Sequence, residues 1–274
     1  MMLLKILTPF VRTIKPILRT IYRNLYRIWS NVWDSRLRAL CSVKESGKEI
    51  FKIYDFGTVT RSRASFFEKV EPETLRWINS FEKNDNFLDI GANFGVYSLY
   101  AASKGINVIS IEPDALNNAL LNLNIRINNY GDKIVPYSIA IHDIKKFSKF
   151  NISSMIWGGA MNSFDNTLNY QGKKYNPIHS QGVFGISLDE FINNLSSIPN
   201  HLKIDVDGNE NLILKGAKKY LGNKSLKSLL IELDEVRTDY KNTIILIESY
   251  GFELIEKTHS DYFPKTNYNH IFRR

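Results

Sequence analysis

The chain has 274 residues, 43% hydrophobic and 23% charged, so it is long enough to bury one large core. Its single cysteine, Cys41, excludes an internal disulfide framework and a cysteine-rich zinc site, and is typical of a reducing compartment. Of the net charge of +8, residues 1–40 carry +7, from eight basic residues and one aspartate. The nearly neutral remainder excludes a basic groove in the body of the protein.

Residues 1–40 have the pattern of an amphipathic helix. Basic side chains lie opposite an aliphatic stripe with alternating steps of four and three residues, which is the spacing of one helix face. The stripe consists of Leu7, Val11, Ile14, Leu18, Ile21, Leu25, Ile28 and Val32. Charges interrupt every window of about twenty residues, so the pattern excludes a transmembrane span and predicts a helix lying on a membrane surface. Pro9 and Pro16 are expected to kink this helix.

Three other interpretations of this segment remain open. The stripe could pack on the body of the protein, or pair with a second copy in a homodimer. The segment could also be a disordered basic tail.

Residues 41–84 are predicted to form a lead-in strand and helix. Residues 49–56 alternate between apolar and polar side chains, as a strand does, and residues 71–81 have a helical pattern with Pro72 in the first turn. A polar turn at residues 83–86 then precedes the main domain, which is expected over residues 85–274.

Strand-like and helix-like segments alternate through this main domain, which is typical of an α/β fold with a mainly parallel sheet. The predicted strands are 87–91, 107–112, 133–140, 202–206, 228–233, 252–257 and 268–273. The predicted helices are 95–103, 114–128, 187–195, 209–221 and 238–249. Residues 144–186 are too long for a plain connection between two elements, so we expect a loop insertion that acts as a functional loop or lid. Residues 147–152 and 183–187 are expected to pair as a hairpin beside it.

The sequence FLDIGANFG, residues 87–95, joins a short apolar strand to a helix through a glycine turn. Such a turn creates a pocket at the carboxyl edge of a parallel sheet, where nucleotides bind. Asp89 is expected to end the strand, Gly91 to let the backbone approach a ligand, and Gly95 to start the helix close to the strand. Asn93 tolerates left-handed dihedral angles, so it can stand where a third glycine is common.

A second acidic residue, Glu112, ends the next predicted strand about twenty residues after Asp89. An acid at this position accepts hydrogen bonds from ribose hydroxyls in dinucleotide and S-adenosylmethionine sites alike. The loop distinguishes between these cofactors. Its pattern is D-x-G-x-x-x-G, whereas dinucleotide sites have G-x-G-x-x-G. Asp89 is a poor neighbour for a pyrophosphate but can meet a methionine ammonium, so the motifs predict S-adenosylmethionine.

With these motifs and three further segments, the chain resembles the FkbM family of methyltransferases over roughly residues 60–257. The further segments are SLDEF (187–191), LKIDVDGNENLILKGA (202–217) and LLIEL (229–233). The resemblance implies a Rossmann-like class I methyltransferase fold, with a seven-stranded mainly parallel sheet and flanking helices, and methylation of a hydroxyl oxygen, often on a sugar. The chain departs from the family pattern at Asp207, which is usually Glu, and at Asn209, which is usually Ala.

The resemblance also implies which residues bind the cofactor. Glu112 would hold the ribose, and Ala140 and its neighbours would lie by the adenine. The methionine-side loop would consist of Asp89, Gly91, Asn93 and Gly95.

Methyl transfer from a sulfonium is an in-line displacement, which needs an aligned acceptor and a group that takes the hydroxyl proton. The segment KIDVDG, residues 203–208, ends a strand beside the cofactor, so Asp205 is the first candidate for a general base or for positioning the acceptor. Glu210 and Glu232, at the ends of neighbouring elements, are the next catalytic candidates. Each of the three could instead be a structural carboxylate. His142 and His201 are expected on the surface or in loops rather than in catalysis.

No histidine or paired-aspartate spacing in the sequence predicts a metal site. Asp205 and Asp207 would alternate between the faces of a continuing strand, so one site for both is not expected. Arg61 and Arg63 either meet a phosphate or carboxylate of the acceptor or face solvent.

We therefore expect a cytoplasmic O-methyltransferase, peripheral to the inner face of the membrane, that acts on a sugar hydroxyl of a glycan or glycolipid precursor. An RNA methyltransferase and a non-catalytic membrane-associated binding module are the alternatives. The neutral body, and DVDGNE in place of a (D/N)-P-P-aromatic segment, argue against nucleic acid as the partner. The intact glycine turn and Glu112 argue against a module that has lost its cofactor.

Overall fold

The structure is a computed structural model that describes residues 20–25, 40–259 and 265–274. Residues 1–40 and 41–274 form two units. In the first unit, residues 20–25 are helical and exposed, including Ile21 and Leu25 of the aliphatic stripe. The rest of the predicted amphipathic helix, with Pro9 and Pro16, lies outside the described residues. Within the described ranges, no helix has the length and apolar character needed to cross a bilayer.

The lead-in begins with a β-hairpin of β1 (Leu40–Glu45) and β2 (Lys48–Tyr54). Three helices follow: α1 (Thr58–Ser65), α2 (Phe67–Val70) and α3 (Pro72–Asn79). The predicted strand and the predicted helix starting near Pro72 are confirmed, whereas β1, α1 and α2 are additional elements. Phe51 and Trp77 of the lead-in are buried in the same core cluster as Leu99 of the main domain. The lead-in is therefore an integral part of the folded body.

The main domain alternates strands and helices. In chain order it contains β3 (Asn86–Ile90), α4 (Val96–Ser103), β4 (Asn107–Ile111), α5 (Ala115–Ile127), β5 (Ile134–Tyr137), β6 (Ala140–His142), β7 (Lys146–Ile152), β8 (Ser163–Phe164), β9 (His179–Ser187), α6 (Leu188–Asn193), β10 (His201–Ile204), α7 (Glu210–Lys215), α8 (Lys218–Gly222), β11 (Ser228–Asp234), α9 (Tyr240–Ser249), β12 (Glu253–Thr258) and β13 (Asn267–Arg273).

Seven of these strands form the central sheet, in the order β12-β13-β11-β10-β3-β4-β5. The pairs from β11 to β5 are parallel, and β13 runs antiparallel to both of its neighbours. The predicted seven-stranded, mainly parallel α/β sheet is therefore confirmed, as a mixed sheet with one reversed strand. Because the chain proceeds from β3 to β4 on one side and places β10 on the other, a crevice opens at the carboxyl ends of β3 and β10.

A second sheet, in the order β6-β9-β7-β8, occupies part of the insertion that was expected over residues 144–186. β7 and β9 pair antiparallel over the whole of β7, so the predicted hairpin is confirmed and extended. The predicted strand 133–140 is interrupted, because β6 leaves the central sheet to pair with β9. Two irregular segments remain within the insertion: residues 153–162, between β7 and β8, and residues 165–178, between β8 and β9.

The predicted helix over residues 209–221 is two helices, α7 and α8. The chain turns at Gly216, where a Cβ atom would lie 2.4 Å from the carbonyl oxygen of His142. A continuous helix with an ordinary side chain there would collide with the chain that leaves β6.

Candidate active site

The glycine turn after β3 has the left-handed backbone that its sequence predicts. Gly91, Asn93 and Gly95 have φ angles of 83°, 52° and 91°. A Cβ atom on Gly91 would lie 1.7 Å from the carbonyl oxygen of Asp205, and one on Gly95 would lie 2.4 Å from Cδ1 of Leu121. These glycines therefore also have packing reasons: Gly91 lets β3 approach the end of β10, and Gly95 lets α4 pack on α5.

Asp89 lies within β3 rather than at its end, and it is buried. Its Oδ2 atom accepts a hydrogen bond of 2.5 Å from Oγ of Ser98. Its Oδ1 atom has no hydrogen-bond partner among the described residues, although Asp89 lines the cleft at the carboxyl ends of β3 and β10. Because a buried carboxylate oxygen requires a donor, Asp89 fits a ligand that carries an ammonium group.

Glu112 follows β4 and holds the glycine turn in place. Its carboxylate accepts hydrogen bonds of 2.8 Å from the backbone N–H of Asn93 and from that of Asp114. Burial raises the pKa of Glu112 to about 8. Near neutral pH the group therefore keeps its proton, so it can donate one hydrogen bond to a ligand hydroxyl and accept another.

A smaller apolar pocket adjoins the cleft and contains Ala140. Its apolar lining includes Ile111, Pro113, Ile139, Ala140, Ile141, Phe150, Phe164 and Val206. Several of these residues lie at the carboxyl ends of β3, β4 and β10 or in the second sheet. An apolar pocket beside the cleft offers the kind of lining against which a purine ring packs.

The irregular segment 153–162 forms one wall of the cleft. The carbonyl oxygen of Gly159 accepts hydrogen bonds of 2.9 Å from the amides of Asn93 and Asn117. The N–H of Gly158 donates to Oδ1 of Asn117 at 3.0 Å, and the N–H of Met161 donates to Oδ2 of Asp207 at 2.5 Å. Only the unusual length and glycine content of residues 144–186 hinted at this wall.

Lys203 is a buried cation between carboxylates. Its Nζ donates a hydrogen bond of 2.5 Å to Oδ2 of Asp205 and lies 5.1 Å from the centre of the Tyr97 ring. Burial alone would lower the pKa of Lys203, but the charges of Asp205, Glu71 and Asp89 raise it above its usual value. Burial likewise would raise the pKa of Asp205, and Lys203 outweighs this effect and lowers it. Asp205 is therefore a charged carboxylate at the edge of β10.

Glu232 lines the same cleft as Asp205, but its pKa is shifted in the opposite direction. Burial and the charges of Asp205 and Asp207 raise the pKa of Glu232 well above its usual value. The pKa of Asp205 is lowered and that of Glu232 is raised, so Asp205 is the charged carboxylate and the better proton acceptor of the pair.

The other acidic candidates divide between the cleft and the core. Glu210 is buried and does not line the cleft; its Oε1 accepts a 2.8 Å hydrogen bond from the N–H of Gly208, as a structural carboxylate does. Asp207 does line the cleft with Asp205, contrary to the expectation of opposite faces. The reason is that β10 ends at Ile204 and Asp207 adopts a φ of 59°.

The two histidines are buried rather than at the surface, which corrects the expectation, and neither lines the cleft. His201 lies at the amino end of β10, where its ring nitrogens are 2.8 Å from Asp85 and 2.7 Å from Ser228. This hydrogen-bonded group of His201, Asp85 and Ser228 is at the opposite edge of the sheet from Asp205. It is fully packed, since Phe81 stacks on His201 with 3.6 Å between ring centres.

The two arginines of the lead-in also differ. Arg61 is exposed and pairs with Asp55 at 2.7 Å. Arg63, two residues further along α1, is half-buried and lines the cleft. Sequence reasoning also missed Glu71 and Tyr97, which contribute to the same cleft from the N-cap of α3 and from α4.

The family model for the methyltransferase FkbM domain matches residues 89–254. Among solved structures, methyltransferase FkbM from Methylobacillus flagellatus KT is 18% identical, with a TM-score of 0.50 over 71% of this chain and 44% of that chain. This chain therefore spans less than half of that protein's length. The likeness shows the fold.

Two further structures resemble the chain less closely. The tRNA m1G37 methyltransferase of M. jannaschii is 15% identical, with a TM-score of 0.46 over 86% of this chain and 57% of that chain. Fibrillarin from Aeropyrum pernix, solved with bound S-adenosyl-L-methionine, is 13% identical, with a TM-score of 0.45 over 74% of each chain. No curated protein matches the sequence.

The matched segment begins at Asp89 and includes Glu112, Asp205 and Glu232, so it contains the acidic residues at the centre of the cleft. The family and the enzyme class expected from the sequence are both confirmed. The chain belongs to the FkbM family of S-adenosylmethionine-dependent methyltransferases.

Proposed function

We propose that the protein is an O-methyltransferase that methylates a sugar hydroxyl of a glycan or glycolipid precursor at the cytoplasmic face of a membrane. The observation that carries the reaction type is Asp205, a carboxylate held in its charged form by Lys203 in the same cleft as Asp89 and Glu112. A hydroxyl nucleophile needs such a proton acceptor, because it loses its proton as the new bond forms.

The residues at the carboxyl edge of the sheet fit S-adenosylmethionine. The free Oδ1 of Asp89 suits the methionine ammonium, the carboxylate of Glu112 suits the ribose hydroxyls, and the apolar pocket around Ala140 suits the adenine. The cofactor supplies an electrophilic methyl group on a sulfonium. The chain itself supplies a charged base in Asp205, and Lys203 holds that base in place through a hydrogen bond.

The polar character of the cleft supports a polyhydroxylated acceptor. Beyond Asp205, its lining includes carboxyls, phenols and an amide that can donate or accept hydrogen bonds. These groups belong to Glu71, Tyr97, Tyr170, Asp207, Glu232 and Asn267. Sugars present many hydroxyls with the same dual capacity, so a lining of this kind can satisfy them without a strong net charge.

The membrane location rests on the N-terminal unit. Residues 1–40 carry a charge of +7, and the described helical residues expose Ile21 and Leu25. An amphipathic basic helix of this kind binds anionic lipid surfaces.

The acceptor is tested with a labelled-methyl screen. The purified protein and labelled S-adenosylmethionine are incubated with lysate separated into glycan, lipid, protein and RNA fractions. We expect label in the glycan or glycolipid fraction, and its loss with Asp205→Asn. Label in protein or RNA alone would overturn the proposed acceptor.

The location is tested by liposome sedimentation. The full chain and a variant lacking residues 1–40 are mixed with anionic and with neutral vesicles. We expect only the full chain to sediment, and only with anionic vesicles. Equal binding of the two proteins would overturn the membrane assignment, and a shift of the full chain alone to a dimeric mass without vesicle binding would favour homodimerisation.

A further inference from the structure

The methionine end of S-adenosylmethionine carries a carboxylate beside its ammonium. Asp89 suits the ammonium, but it repels the carboxylate. A carboxylate that leaves water for a protein cleft needs a cation or several hydrogen-bond donors close by. The cleft should therefore contain a second group, of opposite charge to Asp89.

Two cations line the cleft, Lys203 and Arg63. Lys203 already forms a salt bridge, because its Nζ is 2.5 Å from Oδ2 of Asp205. The guanidinium of Arg63 lies 5.6 Å from the centre of the Phe94 ring and forms no ion pair or hydrogen bond with any described residue. Arg63 is thus the cation whose donors are available to a ligand.

The two carboxylates that attract Arg63 electrostatically already have other hydrogen-bond partners. Asp205 accepts from Lys203, and Asp207 accepts from the backbone N–H of Met161. Each of these aspartates attracts the positive charge of Arg63, and neither forms a salt bridge with it. Arg63 is therefore held in the cleft by long-range attraction while its five N–H donors remain free to bind an anion.

The start of α4 gives a second reason to expect an anion here. Arg63 lines the same cleft as Val96 and Tyr97, the first two residues of α4. The N-cap of this helix is Gly95, so no side chain caps its first amides. The amide end of a helix carries partial positive charge and stabilises a nearby carboxylate.

We propose that Arg63 binds the carboxylate of the methionine end of S-adenosylmethionine, while Oδ1 of Asp89 accepts from the ammonium. The two residues thereby recognise the zwitterion from opposite sides of its α-carbon. Arg63 lies outside the segment that the family model matches, residues 89–254. The proposal rests on the cofactor part of the proposed function and is independent of the acceptor.

The test is calorimetric binding of two ligands to the full chain. S-adenosylhomocysteine has the amino acid end, and 5′-methylthioadenosine lacks it but keeps the nucleoside. We expect Arg63→Gln to weaken binding of S-adenosylhomocysteine by roughly ten- to a hundredfold and to change binding of methylthioadenosine less than about twofold. Arg63→Lys, which keeps the charge, should recover part of the loss.

Arg61→Gln is the matched control, because Arg61 is on the same helix but exposed and paired with Asp55. It should leave both affinities unchanged. Unchanged binding of S-adenosylhomocysteine to Arg63→Gln would overturn the proposal. An equal loss for both ligands would also overturn it, because the effect would then not depend on the carboxylate. Failure of the unaltered protein to bind either ligand would refute the cofactor assignment and the proposal together, whereas the labelled-methyl screen tests the acceptor separately.

Discussion

At the scale of single residues, the charge state of the cleft depends on Lys203. It is the one cation in direct contact with Asp205 among the described residues, and the charges of Glu71 and Asp89 also act on it. Removing the positive charge would leave these carboxylates to repel one another, and protons would relieve the repulsion.

Lys203→Met tests this role, since it keeps most of the side-chain volume and removes the charge. The pKa of Asp205 should rise, because Lys203 lowers it. The acid limb of the kcat/KM profile should therefore move to higher pH, and activity near neutral pH should fall roughly tenfold or more. The measurement uses the acceptor fraction that the labelled-methyl screen identifies.

Lys227→Met is the control, because Lys227 also pairs with two carboxylates, Glu82 and Asp85, but outside the cleft. Its acid limb should stay in place. An acid limb unmoved in Lys203→Met would argue that the lysine does not set the charge of Asp205.

Gly91 is the glycine of the described residues at which an added Cβ atom would have the shortest contact. Gly91→Ala places a methyl group 1.7 Å from the carbonyl oxygen of Asp205, at a φ of 83° that disfavours alanine. Backbone must move, so the free energy of unfolding should fall by about 2 kcal/mol or more in a urea titration. Gly131→Ala meets no atom within 4 Å and should change it by less than about 0.5 kcal/mol. Equal effects of the two substitutions would contradict this account.

At the scale of secondary-structure elements, the cleft wall formed by residues 153–162 depends on α5. Asn117 of that helix makes two hydrogen bonds to the segment, to the N–H of Gly158 and the carbonyl oxygen of Gly159. The tip of the segment exposes Met155 and Ile156. Its position therefore depends on these polar contacts together with the packing of Trp157 on Phe56, 4.6 Å between ring centres.

Asn117→Ala should release this wall. We expect faster cleavage within residues 153–162 in limited proteolysis, and roughly tenfold weaker binding of S-adenosylhomocysteine by calorimetry. Asn122→Ala is the control, because Asn122 is on the same helix but bonds only to Asn118. Unchanged cleavage in Asn117→Ala would indicate that other contacts hold the segment.

At the scale of the whole molecule, buried acids couple stability to pH. Burial raises the pKa of Glu112 to about 8 and that of Glu210 to about 7, against 4.5 for an exposed glutamate. At pH 6.5 the unfolded chain has already released these protons, while the folded chain still holds most of them. By pH 8.5 the folded chain has released most of them as well. Stability is therefore greatest at the lower pH and is lost as the pH rises through the folded pKa values.

We expect the free energy of unfolding to be about 2 kcal/mol lower at pH 8.5 than at pH 6.5, measured with urea in the absence of cofactor. Glu210→Gln removes one of the buried acids with a raised pKa and should reduce this difference. Glu248→Gln, an exposed change on α9, should leave it unaltered. A stability that increases from pH 6.5 to pH 8.5 would contradict the raised pKa values.

Most of the central sheet could be predicted, because each strand carries its own period of apolar side chains and its own flanking turn. The strands near residues 87, 107, 202 and 228 are found within about two residues of their predicted bounds. For residues 144–186 the predicted hairpin is confirmed but the second sheet was missed, since short strands rich in Ser, Gly and Asn acquire their stability from pairing with distant segments. It was also incomplete for α1, whose sequence TVTRSRAS has no clear apolar face.

The sequence by itself determined the family and predicted the cofactor class and the central acids, because the glycine turn and strand-end carboxylates are local patterns. Only the tertiary structure decided that Asp207 joins Asp205 in the cleft, that Glu210 does not line it, and that Arg63 lines it while Arg61 pairs elsewhere. Gly91 likewise faces β10, more than a hundred residues away in sequence. These contacts join segments distant along the chain, and no pattern within one segment specifies which of its side chains another will meet.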